Sequence, residues 1–321
     1  MLTDGQIRIR ATGLTATDMV VLAGASDYSS PLDVYASKVE SAAPRPSNLR
    51  MSAGNALEPL ILAELARRHG LVMRPGETVR HPDLPWVLAT PDAFVLEHET
   101  DDKPSAVAEV KLVGPRMVRA WRDADGGLSF PESVCVQTAW QMLATGTTRA
   151  YVGALLGDFG DDSFHSIVIE AIAELQAALL EMGERFWTEN VLARVPPPAG
   201  GGDADRRALE HLFPRAIRLE MPEASDDAAD LGSRYVEIVG QIGTLEKEKE
   251  SIANTLRATI GDRRGVVSAR GKWKATWESR QGQIDPLAVA AAHGIPVTEL
   301  HRFRRPAPRV LRVAAVKEKD R

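Results

Sequence analysis

An acidic and a basic residue stand two positions apart in residues 106–113, where the remaining residues are all apolar. Because successive side chains of a strand alternate between its faces, Glu109 and Lys111 share one face of the strand predicted here. Apolar residues on both faces are typical of a strand buried inside a sheet. Burying a carboxylate and an ammonium group costs desolvation free energy. A bound divalent cation would account for that cost, so the pair is a candidate for metal-assisted chemistry.

A second acid, Asp92, opens the neighbouring predicted strand within Thr90-Pro91-Asp92-Ala93-Phe94. Joined across a hairpin, Asp92 and Glu109 would offer the oxygen ligands that Mg²⁺ prefers. Such a cation would polarise a phosphoryl oxygen and lower the pKa of a bound water. Lys111 would then hold that water and offset the charge that builds up on phosphorus. The same spacing also fits a cross-strand ion pair with no catalytic role.

Four further motifs flank these residues in a defined order. They are Gly-Leu-Thr-Ala-Thr-Asp at 13–18, Met-Ser-Ala-Gly-Asn-Ala-Leu-Glu-Pro at 51–59, Gln137-x3-Gln141-Met142-x2-Thr145-Gly146, and Phe186-Trp187 followed by three prolines at 196–198. Together they resemble the phage λ exonuclease and YqaJ-type viral recombinase family of PD-(D/E)XK nucleases, across residues 6–200. The joint occurrence is far more specific than any one motif.

The resemblance implies a role for each matching residue. Asp92 and Glu109 would bind metal, Glu58 would complete the acidic cluster, and Lys111 would be the catalytic lysine. Gln137 would lie against the lysine or the attacking water. Two plainer interpretations stay open. Gln137 could be an exposed glutamine of a helix surface, and Glu58 an acid favoured by the dipole of a helix N-terminus.

The resemblance also implies a binding site for the 5′-phosphate of a DNA end. Arg10 and Thr17 have the separation at which the family places an arginine and a hydroxyl residue for this purpose. A guanidinium fork, a hydroxyl and helix N-terminal amides suit a terminal phosphate. The alternative is that Thr15 or Thr17 only caps the helix and that Arg10 is solvated.

The pattern of elements predicts an α/β fold, and the resemblance implies a PD-(D/E)XK core with a mixed central sheet flanked by helices. Residues 1–200 form the predicted nuclease domain, and a Pro/Gly-rich linker begins a C-terminal extension at 201–321. Predicted helices span 13–22, 31–39, 53–69 (capped by Ser52 and ended by Gly70), 132–145 and 171–191, followed by a long amphipathic helix through 231–260. Predicted strands span 77–81, 86–96, 106–113, 149–156, 164–169, 265–279 and 309–316.

Composition excludes several classes of protein. One cysteine, Cys135, leaves no internal disulfide or cysteine-based metal centre, and no apolar stretch is long enough to cross a bilayer. The seven histidines include no His-x3-His pair, and no phosphate-binding loop for ATP is present. The net charge is −5, but residues 263–321 hold 14 Lys and Arg against 5 Asp and Glu. This basic segment predicts contact with a polyanion or, alternatively, a solvated subdomain.

These observations and the resemblance together predict a Mg²⁺-dependent deoxyribonuclease of the cytoplasm of a bacterial host or phage-infected cell, with Mn²⁺ as a substitute. By resemblance, it resects linear double-stranded DNA ends 5′ to 3′, feeds a single-strand annealing protein, and forms a homo-oligomer, possibly a trimer. The alternatives are an endonuclease, a RecB-like repair nuclease, or a non-catalytic DNA-binding recombination accessory protein.

Overall fold

The chain was described from a computed structural model, which covers residues 4–39, 49–125, 127–158, 160–214, 223–269, 273–278, 286–296 and 299. It divides into two compact units, Met1–Pro214 and Arg215–Arg321. Within the described residues, no helix is both long and apolar enough to span a membrane.

The first unit combines helices with a five-stranded main sheet and a separate two-stranded sheet formed by its second and third strands. Its elements are α1 Asp4–Arg10, α2 Ala16–Leu22, α3 Pro31–Val39, α4 Leu49–His69, β1 Val72–Pro75, β2 Val79–Arg80, β3 Leu88–Ala89, β4 Ala93–Leu96, β5 Ala106–Val113, α5 Glu132–Thr145, β6 Arg149–Leu156, β7 Phe164–Glu170, α6 Ala173–Phe186 and α7 Asp203–Leu212. Two 3-10 turns, Pro115–Trp121 and Asp161–Ser163, and a π-helix, Trp187–Leu192, complete it.

The main sheet has five strands in the order β1-β4-β5-β6-β7. Only β5 and β6 run parallel to each other, and the other neighbours are antiparallel. This mixed sheet flanked by helices confirms the predicted fold class. β5 is its central strand, so both of its edges are paired and both of its faces are covered.

Each face of β5 packs against a different helix. Ala108 and Val110 face α4, where they join Ile61 and Leu65 in one apolar cluster. Val107 points the other way and packs with Met142 of α5. Because side chains alternate along a strand, the residues that follow Val107 at every second position also face α5. The alternation therefore directs Glu109 and Lys111 towards α5.

Capping residues determine where several helices next to the sheet begin or end. Thr15 caps α2 in a capping box: its hydroxyl accepts from the backbone N–H of Asp18, whose carboxylate accepts from the backbone N–H of Thr15. Gly70 and Gly146 follow α4 and α5 with φ of 64° and 70°. This left-handed conformation favours glycine and stops a helix. These signals confirm Thr15 as a cap and both glycines as stops.

Several predicted boundaries were wrong. Residues 86–96 form two strands, β3 and β4, because Pro91 lacks the N–H that a continuous ladder needs. Helix α4 begins at Leu49, so Ser52 lies inside it and does not cap it, and Pro59 is also accommodated within it. The sequence pattern did not predict α1, β1 or α7, whose short apolar patterns give weak periodicity.

The second unit contains α8 Asp226–Ile260, β8 Gly265–Val267, β9 Lys274–Thr276 and α9 Pro286–Ala292. The long amphipathic helix is confirmed as α8. Residues 265–279 were predicted to be one strand, but β8 and β9 pair as an antiparallel hairpin. The predicted strand 309–316 and most of the basic segment lie outside the described residues.

Candidate active site

Glu109 is a buried acid held by three donors. Its position on central strand β5 leaves the residue only 2% exposed. Oε1 accepts from Lys111 Nζ at 2.5 Å and from Gln137 Nε2 at 2.6 Å. Oε2 accepts from Gln141 Nε2 at 2.7 Å. These bonds fix both carboxylate oxygens, and charge-assisted bonds of this kind are among the stronger ones in proteins.

Lys111 is held between an acid and an amide. Its Nζ donates to Glu109 and, at 2.9 Å, to Gln137 Oε1. Burial by itself would lower the pKa of Lys111, but the nearby carboxylates of Glu109, Asp92 and Glu58 raise it, and the net shift is upward. Lys111 is therefore a fixed cation at neutral pH and has no free lone pair to act as a base.

Asp92 reaches the same place from the neighbouring strand. It follows Pro91 and precedes β4, and its backbone N–H donates to the carbonyl of Ala108 at 3.1 Å. Its side-chain Oδ2 accepts from the backbone N–H of Val110 at 2.7 Å. Burial raises the pKa of Asp92 well above its usual value, and the charge of Glu109 raises it further. The hairpin thus brings two acids together at some electrostatic cost.

Glu58 approaches from α4, three turns before the end of that helix. It lines a cavity of about 680 Å³ together with Asp92, Glu109 and Lys111. Burial raises the pKa of Glu58, and so does the nearby Glu109. Three carboxylates thus share this cavity, which we call the acidic cavity.

The residues of the acidic cavity fit a divalent cation of the magnesium type. All three acids offer oxygen ligands. Burial raises the pKa of Asp92 and of Glu58, the charge of Glu109 raises both further, and a bound cation would offset these effects. Yet among the described residues no three His, Cys, Asp or Glu side chains converge into a metal cage. This partial set suits Mg²⁺, which usually keeps several waters and takes ligands from a substrate phosphate.

Arg10 lies close to the acidic cavity. Its guanidinium donates to Thr90 Oγ1 at 3.3 Å and to Thr15 Oγ1 at 3.4 Å. Burial lowers the pKa of Arg10, while the charges of Asp18 and Glu109 oppose that shift. Arg10 is thus tied to Thr90, two residues before Asp92. This group, Arg10 with Thr15 and Thr90, is called the arginine cluster.

Thr17, the predicted partner of Arg10, has an exposed side chain. It lines a neighbouring cavity of about 430 Å³ with Asp18 and Tyr28, and Tyr28 also lines the acidic cavity. Among the described residues, the hydroxyls that accept from Arg10 belong to Thr15 and Thr90. The structure thus gathers Glu58, Asp92, Glu109, Lys111 and Gln137 in one place, with Arg10 nearby and Thr17 apart from them.

Gln141 belongs to the Gln137-x3-Gln141 motif but was not among the predicted site residues. Gln141 is fully buried, and its Oε1 has no hydrogen-bond partner among the described residues. The available signal was the spacing of four between Gln137 and Gln141, because residues at i and i+4 share one face of a helix. That face of α5 is the one turned towards Glu109.

Comparison with known proteins gives one family match and several similar solved structures. Residues 7–148 match the YqaJ-like viral recombinase domain. No curated protein matches the chain. An alkaline exonuclease (LHK-Exo) from Laribacter hongkongensis is similar at 19% identity and a TM-score of 0.47, over 60% of this chain and 94% of that one. The same enzyme in complex with dAMP gives 18% identity, a TM-score of 0.48, and the same coverage of both chains. A phage-related exonuclease from Haemophilus somnus 129PT is similar at 11% identity and a TM-score of 0.41, over 57% of this chain and 96% of that one.

Proposed function

We propose that this chain, which carries a YqaJ-like viral recombinase domain at residues 7–148, is a metal-dependent DNA exonuclease that acts in recombination. Its reaction is hydrolysis of phosphodiester bonds at the ends of linear double-stranded DNA. The observation that carries the proposal is Glu109, a buried carboxylate whose two oxygens are fixed by a lysine and two glutamines beside two further acids.

The roles of the side chains follow from their charges and hydrogen bonds. Asp92, Glu109 and Glu58 would hold the divalent cation, Mg²⁺ with Mn²⁺ as a substitute. When bound, that cation supplies Lewis-acid polarisation of a phosphoryl oxygen and acidifies water. The ammonium group of Lys111 already donates to Glu109 and Gln137, so it has one further proton to donate to the attacking water. Its positive charge offsets the negative charge that builds up on the phosphoryl oxygen. Gln137 keeps the ammonium group of Lys111 in place through its amide oxygen.

We further propose that the arginine cluster recognises the 5′-phosphate and so sets a 5′ to 3′ direction. Arg10 is cationic and half-buried, and its hydrogen-bond partner Thr90 lies two residues before Asp92. This arrangement supports the binding of a phosphate next to the cleavage site. Thr17 remains the predicted second ligand, and Thr15 and Thr90 are the hydroxyls already beside the guanidinium. By family resemblance, the enzyme acts in the cytoplasm as a homo-oligomer, possibly a trimer, with a single-strand annealing protein as partner.

The alternatives are an endonuclease, a RecB-like repair nuclease and a non-catalytic accessory protein. The test is incubation of linear, nicked and circular duplex DNA with Mg²⁺. The proposal expects loss of linear DNA only, and loss of this activity in Glu109→Gln. Glu64→Gln is the matched control, because this half-buried acid of α4 bonds Arg67 and Arg68 and does not line the acidic cavity. Cutting of circles would indicate an endonuclease, and binding without hydrolysis would indicate the accessory role.

A further inference from the structure

A second cavity lies directly beside the acidic cavity. It has a volume of about 480 Å³, and its wall is mostly apolar, with Leu112, Val113, Pro115, Met117 and Leu155. We call it the side cavity. Arg50 and Leu112 line both cavities, so the two cavities adjoin each other at the end of β5. We propose that the side cavity receives one nucleobase of the DNA strand that is being cleaved, an inference that rests on the proposed nuclease function.

The geometry of β5 places the side cavity at the right distance. A strand advances about 3.3 Å per residue, so Val113 lies roughly 7 Å beyond Lys111. The rise along a duplex strand is about 3.4 Å per nucleotide. When a scissile phosphate lies at Lys111, a base within one or two nucleotides therefore reaches the wall formed by Leu112 and Val113. To enter, that base has to leave the duplex stack.

The chemistry of the wall matches a nucleotide with its base inserted. The apolar side chains suit the face of a base, which is flat and has little charge. Arg50 and Arg116 also line the cavity and are exposed, so their guanidinium groups can reach the flanking phosphates. The acid of the wall, Asp158, accepts from Ser163 and from the backbone N–H of Gly160. Its charge is thus turned to the neighbouring 3-10 turn.

Gly114 provides a way to close the side cavity without altering the acidic cavity. Its φ is −67°, which any residue adopts, and an added Cβ would meet no atom within 4 Å. Gly114→Leu therefore extends a side chain into open space on the cavity wall. Gly240→Leu is the matched control, because Gly240 of α8 is equally open. Met117→Ala changes the volume in the opposite direction and serves as a second variant.

The experiment measures DNA binding, so that it does not depend on hydrolysis. Short 5′-phosphorylated duplexes carry an abasic site at each of the terminal positions in turn, and their affinity is measured by fluorescence anisotropy with Ca²⁺ in place of Mg²⁺. Stacking a base on a protein surface contributes about 5- to 100-fold in affinity. We expect one abasic position to weaken binding to wild type by that factor. Gly114→Leu should bind intact and abasic DNA equally, and Gly240→Leu should behave as wild type.

Three outcomes would overturn the inference. The first is that no abasic position weakens DNA binding to wild type. The second is that a folded Gly114→Leu loses as much affinity at the abasic position as wild type does. The third applies if Gly114→Leu does not fold, and it is that Met117→Ala loses as much affinity at that position as wild type. Failure of the proposed function has a different signature, because wild type would then hydrolyse no DNA with Mg²⁺. An enzyme that degrades linear DNA but tolerates every abasic position contradicts the base cavity alone.

Discussion

Replacing Gln141 by methionine should separate catalysis from stability. The two side chains are similar in size, but methionine cannot donate the 2.7 Å bond that holds Glu109 Oε2. A hydrogen bond to a buried charge contributes about 1.5–3 kcal/mol. If that free energy fixes Glu109 in the geometry needed for the transition state, its loss lowers kcat/KM by about 10- to 150-fold. Residues that orient metal ligands typically have effects of about 10- to 100-fold.

The expected effect of Gln141→Met on folding is much smaller. Gln141 Oε1 is buried without a partner among the described residues, and such a group costs about 1–3 kcal/mol. Methionine removes this unpaired oxygen together with the bond to Glu109, so the two changes in the free energy of unfolding nearly cancel. We expect the Tm to stay within roughly 4 °C of wild type, since about 1 kcal/mol shifts Tm by 2–4 °C in a domain of this size.

The assay compares wild type, Gln141→Met and the control Gln176→Met in steady-state hydrolysis of linear duplex across a Mg²⁺ titration, alongside thermal denaturation. Gln176 is half-buried and donates its amide N–H at 3.2 Å to the backbone carbonyl of Ala139, away from Glu109. If Gln141 positions Glu109 as a metal ligand, Gln141→Met needs a higher Mg²⁺ concentration for hydrolysis than wild type, and Gln176→Met does not. Full activity in Gln141→Met, or a loss of activity equal to that of the control, would refute the reasoning.

Four further predictions concern the acidic cavity, the arginine cluster and the second unit. Asp92→Asn should raise the Tm of the metal-free protein at neutral pH, because burial and Glu109 disfavour the charged acid. The difference in Tm should shrink as pH falls through the raised pKa of Asp92, because the wild-type carboxyl group then takes up a proton. A lower Tm for Asp92→Asn than for wild type at neutral pH would contradict this prediction. Lys111→Ala should lose turnover by orders of magnitude while calorimetric Mn²⁺ affinity stays unchanged; a large fall in affinity would make the lysine structural. Arg10→Ala should erase a preference for 5′-phosphorylated over 5′-hydroxyl linear duplex in degradation rates, and equal slowing on both substrates would exclude a phosphate site there. A chain shortened to residues 1–214 should bind DNA with a shallower dependence of log affinity on log salt, and an unchanged slope would favour partner docking.

The local chemistry of the site could be predicted from the sequence. Alternation along residues 106–113 places Glu109 and Lys111 on one face, and β5 has the predicted bounds. The i to i+4 spacing of Gln137 and Gln141 puts both amides on one face of α5. Helix stops at Gly70 and Gly146 follow from the left-handed conformation that glycine adopts without strain. All of these are short-range regularities, in which neighbouring residues fix one another's direction.

Only the tertiary structure decided which of these faces meet. Glu109 is charged but almost fully buried, because central strand β5 turns it against α5, and the sequence pattern does not contain that packing. Arg10 contacts Thr90 across 80 positions, whereas the predicted Arg10–Thr17 pair came from the family resemblance. Asp92 meets Glu109 because Pro91 interrupts the ladder and starts β4 in a register with β5 that periodicity does not specify. Local patterns set the direction of a side chain, whereas its depth and its partners depend on the long-range packing of whole elements.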